Sequence, residues 1–422
     1  MKLLILSDDF TGALDTGVQL SSQNIPTTVY VSARGAVPLT MEPDDAEVLV
    51  INAETRHLSY EEAYACTQSL LKRYAVPGVY VYVKTDSALR GNIAAACQAA
   101  VDTCGSPLMF VPAYPALGRI TRQSVCYVNG KLLEHSIFRN DPRTPTLQSS
   151  ILDIFRSSKA HFSMCPVPVS GLAAFPEQLA AAKSDVYIFD CETDRDLEQI
   201  ADTIHKCGKY GLTAGCAGFA ATLASHIPFH RAAPEKAAYF GPVLFVSGSA
   251  NAVTFSQIAF AREHGFQVLS LADMIERCAQ GRDDIDAMIA DTPAQRILSS
   301  ARESLSHNRP VVLATACCRE ELSRNNSPAF HETVAKLTAS LVQLLIEQCS
   351  VENIAVFGGD MVTAILKQLA CTKVTAHGEI TAGVPLCTFI HQGKLRCLIT
   401  KSGGFGSEDT ILAIHQFFGG NH

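Results

Sequence analysis

Short runs of β-favouring apolar residues alternate with longer stretches of helical period along the whole chain. That alternation is the signature of parallel-sheet α/β units. In the first half strands are predicted at 2–7, 27–32, 48–52, 79–84, 107–112 and 186–190, with helices near 12–22, 60–73, 92–103 and 194–207. In the second half strands are predicted at 243–248, 311–315, 354–357, 387–390 and 396–400, and a long helix at 329–347. At 422 residues the chain exceeds one ordinary core, and the proline-bearing stretch HIPFHRAAPEKAAYFGP separates the two series. The expected fold is α/β with two domains, 1–230 and 243–422, each a largely parallel sheet flanked by helices.

Several classes of function fall away on composition. A formal net charge of -7 and a pI near 6.0 give no global basic field, so nucleic acid is a poor partner. MKLLILSDDF has too short an apolar core for a signal peptide, and no run approaches the roughly 20 apolar residues that span a bilayer. A cytoplasmic protein without membrane contact is expected. The 15 cysteines have no C-x-x-C spacing and the 13 histidines no H-E-x-x-H, which favours reduced core thiols over a zinc site.

Ligands of open α/β sheets lie beyond the carboxyl ends of the strands. Those positions in the first half hold Asp8 and Asp9, then Asn52-Ala53-Glu54-Thr55-Arg56, then Lys84-Thr85-Asp86-Ser87-Ala88-Leu89-Arg90-Gly91-Asn92. Such a rim of both signs suits a small polyol acid, its carboxylate on Arg or Lys and its hydroxyls on carboxylates. A solvated, salt-bridged sheet edge is the plainer alternative. Of the paired acids, one suffices to cap a helix beginning near Gly12, so Asp8 is expected to be the cap and Asp9 the ligand.

The second half ends its strands differently, with Ser247-Gly248-Ser249-Ala250-Asn251, Gly358-Gly359-Asp360-Met361 and Lys401-Ser402-Gly403-Gly404-Phe405-Gly406-Ser407. Small residues at strand-to-helix turns let backbone N–H groups approach an anion, and three such turns suggest the phosphates of a nucleotide. G-x-x-x-x-G-K-[ST], an early G-x-G-x-x-G and G-x-S-x-G are all absent. Asp360, on its glycine turn, is either a catalytic base or the cap of a helix over 361–369.

In order from residue 7 to residue 409, the segments SDDFTGALDTG, NAETR, KTDSALRGN, PAYPALGRIT, FRNDPRTP, VLFVSGSAN, FGGDM, GEITAGVPL and ITKSGGFGSED resemble the four-carbon acid-sugar kinases, long known as a domain of unknown function. The resemblance implies a sugar-acid-binding domain over 1–230, a nucleotide-binding domain over 243–422 and an active site in the cleft between them. It implies ATP-dependent phosphorylation of a terminal hydroxyl, with Mg²⁺ accompanying ATP and metal ligands unassigned. Carried over by motif, substrate contacts fall on Asp9, Arg56, Lys84, Thr85, Asp86 and Ser87; Arg90 joins them from the rim itself. ATP contacts fall on Ser249, Gly358, Gly359, Asp360, Met361 and Gly403. Asp360, then Asp86, are the base candidates. Phe10 and Leu14 stand where the common D-D-L-T-G-A-N-D form has Leu and Asn, and Thr85 and Ala88 also depart. Within the family the chain looks most like members acting on D-threonate, with D-erythronate, L-threonate and 3-oxo-tetronates as alternatives. A non-catalytic sugar-acid binding protein is the alternative of a different class, and a homodimer is left open.

Overall fold

The structure is a computed structural model that describes residues 1–32, 46–140, 144–181, 183–232, 241–281, 283–325, 327–349, 351–401 and 404–419. The chain divides into two compact units, Met1–Ala233 and Pro234–His422. Part of the expected linker, 233–240, lies outside the described residues.

In the N-terminal unit the strands are β1 (Leu3–Ser7), β2 (Thr27–Tyr30), β3 (Val48–Asn52), β4 (Tyr80–Lys84) and β5 (Leu108–Val111), then β6 (Arg119–Arg122), β7 (Val125–Val128), β8 (Lys131–Leu132), β9 (Met164–Val167), β10 (Val186–Phe189) and β11 (Leu212–Gly215). The main sheet runs β2-β3-β1-β4-β11-β5-β10-β9 and every pair in it is parallel. All residues of β1 and β3 are buried, the continuous apolar habit of strands covered on both faces. Leu4, Leu6, Ile51, Val83 and Phe110 form part of one core cluster. Each such side chain contributes about 1.5–3 kcal/mol by leaving water.

Register decides where the site can be. Ser7 stands opposite both Asn52 and Lys84, and Lys84 opposite Gly215, so the carboxyl ends of β3, β1, β4 and β11 finish in one row. From β1 the chain departs through helix Phe10–Ser21 toward β2, whereas from β4 it departs through helix Ile93–Cys104 toward β5 on the other side. A reversal of this kind opens a crevice between neighbouring strand ends. Over the same rim lies an antiparallel meander, β6-β7-β8, held by the Thr121–Cys191 bridge and by Asp190, whose carboxylate accepts from the backbone N–H of Gln123 (2.7 Å) and Ser124 (2.8 Å).

The C-terminal unit contains β12 (Val243–Ser247), β13 (Gln267–Ser270), β14 (Val311–Ala314), β15 (Asn353–Phe357), β16 (Lys373–Thr381), β17 (Val384–His391) and β18 (Lys394–Lys401). Its order is β13-β14-β12-β15-β18-β17-β16. The pairs from β13 to β18 are parallel, and β17 runs antiparallel to β18 and β16. Ser247 faces Phe357, and Phe357 faces Lys401, so three glycine turns leave from adjacent strand ends. Among the described residues, no helix is long and apolar enough to cross a membrane.

All the strands predicted from the alternation are present. The meander, β9, β11, β13 and β16 were not predicted. β11 reads LTAG, too short and small for an apolar run, and β9 contains Pro166, which an edge position tolerates.

Candidate functional site

At the N-terminal rim Arg56 is the hub. Its Nε and one terminal nitrogen donate to the two oxygens of Asp8 (2.7 and 3.0 Å), its other terminal nitrogen donates to Asp9 Oδ2 (2.6 Å), and Asp86 Oδ2 lies 3.4 Å away. The loop carrying Arg56 is tied down at both ends. Its own N–H and that of Thr55 donate to Asp8 O, and Asn92 Nδ2 donates to Thr55 O and Leu58 O. Gly91, at φ +82°, leaves room for this packing: a Cβ there would lie 3.2 Å from Arg56 Cγ and from Asp8 Oδ2.

This geometry reverses the assignment of the paired acids. Asp9 is the N-cap of helix Phe10–Ser21, its Oδ1 accepting from the N–H of Gly12 at 2.8 Å. Asp8 is the bidentate partner of Arg56. The helix starts at Phe10, two residues before the expected point, because the buried Phe10 side chain packs in the core. Asp9 is still the more open of the two, 26% exposed against 13% for Asp8, and its oxygens retain lone pairs for a hydroxyl donor.

Burial raises the Asp8 carboxyl; Arg56 opposes that, and the neighbouring Asp9 and Asp86 charges reinforce it. Asp86 behaves oppositely. Burial alone would push it up, yet Arg56, Arg90 and Lys84 hold it far below the usual carboxylate range. Its Oδ1 accepts from Ala88 N (3.0 Å) and Arg90 Nε (3.0 Å), and its Oδ2 from the Arg90 terminal nitrogen (2.8 Å). A carboxylate so engaged is a poor proton acceptor. Asp86 is therefore corrected from base candidate to a fixed anion that positions Arg56 and Arg90.

Lys84 differs from both arginines. It is buried, its Nζ donates to Thr85 O at 3.1 Å, and among the described residues no carboxylate pairs with it. The buried Thr85 Oγ1 beside it has no hydrogen-bond partner, and Ser87 is half-buried in the same loop. Gly12 is required here: a Cβ would sit 2.6 Å from Asp9 Oδ1 and 2.8 Å from Lys84 Nζ. The Arg56 guanidinium, by contrast, already serves three acids.

Sequence reasoning missed the surroundings of the cluster. Thr146 Oγ1 donates to Ala88 O at 3.1 Å, pinning the segment after 143 to the Lys84–Arg90 loop. Arg90 and Arg119 both stack on the Phe138 ring, at 5.2 and 5.5 Å from its centroid. A cavity of about 580 Å³ opens alongside, with Arg56, His57, Arg90, Asn92, Thr146 and Leu147 in its wall. Asp9, Lys84, Asp86 and Ser87 do not line it. A threonine contact across 58 residues leaves no local periodicity to find.

In the C-terminal unit the turns after β12, β15 and β18 interlock. Gly248 N–H donates to Phe357 O (2.9 Å) and Gly358 N–H to Lys401 O (3.1 Å). Gly358 has φ +111°, and a Cβ on it would meet Gly248 C at 3.4 Å and Ser249 N at 3.6 Å. A Cβ on Gly248 would meet Met361 at 2.9 Å. Ser249 is buried, its Oγ accepting from Asn251 N–H (3.2 Å) and Thr254 Oγ1 (3.0 Å). Gly358 holds the N-cap position of helix Gly359–Gln368, so Asp360 is not its cap; it lies exposed in the first turn. Backbone-lined turns at helix starts fit phosphate groups. Gly403 lies outside the described residues.

Lys401, overlooked in the sequence, ends β18 almost fully buried. Its Nζ donates to Phe405 O at 3.1 Å and stacks over the Phe357 ring at 4.8 Å. Burial lowers this ammonium from 10.5 to about 8. Between those values the unfolded chain binds more protons than the folded one, so stability rises with pH. From pH 8 to 10.5 the wild type should gain roughly 1–3 kcal/mol over Lys401→Met, read as the difference between their denaturation curves. Curves that stay parallel would exclude a buried, destabilised ammonium.

Among the described residues, no group of three or more His, Cys, Asp or Glu is placed to hold a metal ion. The sugar-binding N-terminal domain family matches residues 3–223, and the nucleotide-binding C-terminal domain family residues 244–411. The D-threonate kinase of Salmonella typhimurium is 30% identical over 97% of this chain and 97% of its own length. The 3-oxo-tetronate kinase of the same organism is 27% identical over 99% of each. A crystal structure of another Salmonella typhimurium protein shares the fold, with TM-score 0.79, 22% identity, and coverage of 98% of this chain and 99% of that one.

Proposed function

The chain belongs to the family that joins a sugar-binding N-terminal domain to a nucleotide-binding C-terminal domain, the family of the D-threonate and 3-oxo-tetronate kinases, and from that premise we propose that it phosphorylates the 4-hydroxyl of D-threonate. It is a phosphotransferase whose acceptor is an alcohol group of a four-carbon sugar acid and whose donor is ATP. The observation that carries the choice of D-threonate is the 30% identity, over 97% of both chains, to a kinase of that acid.

In this reading the N-terminal unit binds the acid and the C-terminal unit the nucleotide. Lys84, buried and lacking an ion pair among the described residues, brings positive charge to the substrate carboxylate. Asp9, Thr85 and Ser87 receive its hydroxyls, while Arg56, Arg90, Asp8 and Asp86 hold one another so that these groups stay in place. The turns at Ser249, Gly358, Gly359 and Met361 receive the ATP phosphates, with Mg²⁺ travelling on the nucleotide. Phosphoryl transfer demands chiefly position and charge stabilisation, which fixed backbone N–H groups provide. Asp360 takes the proton of the attacking hydroxyl.

A coupled ADP-release assay over D-threonate, L-threonate, D-erythronate and 3-oxo-tetronates, with Mg²⁺, tests class and substrate together. D-threonate should give the highest kcat/KM, by about tenfold or more over its stereoisomers. No ADP with any of these acids would overturn the kinase reading. Binding without ADP release would favour a sugar-acid binding protein, and loss of acid without ATP consumption a dehydrogenase or aldolase.

A further inference from the structure

The meander over the N-terminal rim contains a cation that the proposed reaction has not yet used. Arg119 begins β6, and its Nε is buried without a hydrogen-bond partner. Among the described residues its guanidinium makes no ion pair; what it touches is the face of Phe138, at 5.5 Å. Arg90, tied to Asp86, stacks on the same ring. Arg119 is only partly buried, yet its Nε has neither water nor an acceptor, and a planar carboxylate is the acceptor the guanidinium fork best fits.

Its surroundings agree. Tyr114 follows the carboxyl end of β5 and exchanges backbone hydrogen bonds with Arg119 (2.7 and 3.1 Å). Two residues on, Thr121 pairs with Cys191 just past the end of β10. Arg119 therefore belongs to the same rim as Lys84 and Thr85. The Cys126 thiol on β7, pushed up to about 12 chiefly by burial, feels the charges of both Arg119 and Asp86, so the two lie within electrostatic reach of one group.

We propose that Arg119 is a specificity-determining residue of the sugar-acid site, its guanidinium receiving the substrate carboxylate and so selecting acids over uncharged polyols. This rests on the reading of the N-terminal unit as the site for a four-carbon acid. Arg90 and Arg56 are satisfied by internal carboxylates; among the described residues of this rim, Arg119 and Lys84 make no ion pair and carry positive charge for a ligand.

The test compares a tetronate with threitol and erythritol, in which a hydroxymethyl group replaces the carboxylate, in the wild type, Arg119→Gln and Arg119→Lys. In Arg119→Gln, kcat/KM for the acid should fall about 30-fold or more, mostly through KM, and the acid-to-tetritol ratio should fall with it. Arg119→Lys should retain part of the preference. A fully retained acid-to-tetritol ratio, in a variant that melts like the wild type, overturns the proposal. Should neither variant fold, phenylglyoxal labelling of the wild type with peptide mapping decides: saturating acid, but not tetritol, should shield Arg119, and equal labelling overturns the proposal. If the wild type releases no ADP with any acid, the kinase reading fails by itself. Acid-induced thermal stabilisation that is lost in Arg119→Gln then still tests the carboxylate contact, and stabilisation that is retained overturns it.

Discussion

Arg56→Gln should destabilise the N-terminal unit by about 3–5 kcal/mol at neutral pH and remove sugar-acid binding with it. The arginine neutralises Asp8, Asp9 and Asp86 together, and burial of the hub raises the cost of removing it. Without it, the buried Asp8 and Asp86 face each other with only Arg90 and Lys84 near by, and both carboxyls titrate higher than in the wild type. The sign in pH follows. Depressed Asp86 costs the wild type stability only as pH falls below the ordinary carboxylate value of 3.8, whereas the variant, with raised carboxyls, binds protons more readily than its unfolded chain above that value and recovers. The gap between the two proteins should therefore narrow on going from about pH 8 to about pH 5, as measured by denaturant titration at each pH. A gap independent of pH would mean that lost packing, and not stranded charge, causes the damage.

The second large effect is on turnover. Asp360→Asn should lower kcat by about 10²- to 10⁴-fold with little change in KM for the acid, the mark of a group that acts on a proton in the transition state. Its fold should be indifferent, because the N-cap position of its helix belongs to Gly358 and the side chain is exposed. Steady-state kinetics beside a melting curve separate the two roles. If kcat is unchanged, Asp360 is left with the first-turn interaction of an acid with its helix, worth about 0.3–1 kcal/mol.

The strand pattern and the positions just after each strand were legible in the sequence, because buried parallel strands read as unbroken apolar runs and their carboxyl ends fall in register. From that row alone came Asp9, Arg56, Lys84 and the glycine turns. What escaped was the partnership among them. Whether Asp8 or Asp9 caps a helix turns on a start that a buried Phe10 shifts by two residues, and periodicity does not resolve that. Lys401 escaped because a lysine is by default a surface residue, and only the three-dimensional neighbourhood of Thr254, Phe357 and Phe405 shows it buried. The meander escaped because its anchors, Asp190 to Gln123 and Ser124, join residues 67 and 66 positions apart.

Those anchors give the meander an independence that the strands lack. None of the parallel ladders runs through residues 119–132; the insert is held by the Asp190 clasp, by bridges at Arg119, Thr121 and Val125, and by Cys126 and Val128 in the core cluster. A stretch outside the ladders can change its solvent-facing residues while the row of strand ends beneath keeps its register, so long as Cys126 and Val128 still fill the core. Divergence of acceptor preference among relatives then requires no rebuilding of the core, and the same segment is the natural unit for grafting one preference onto another scaffold.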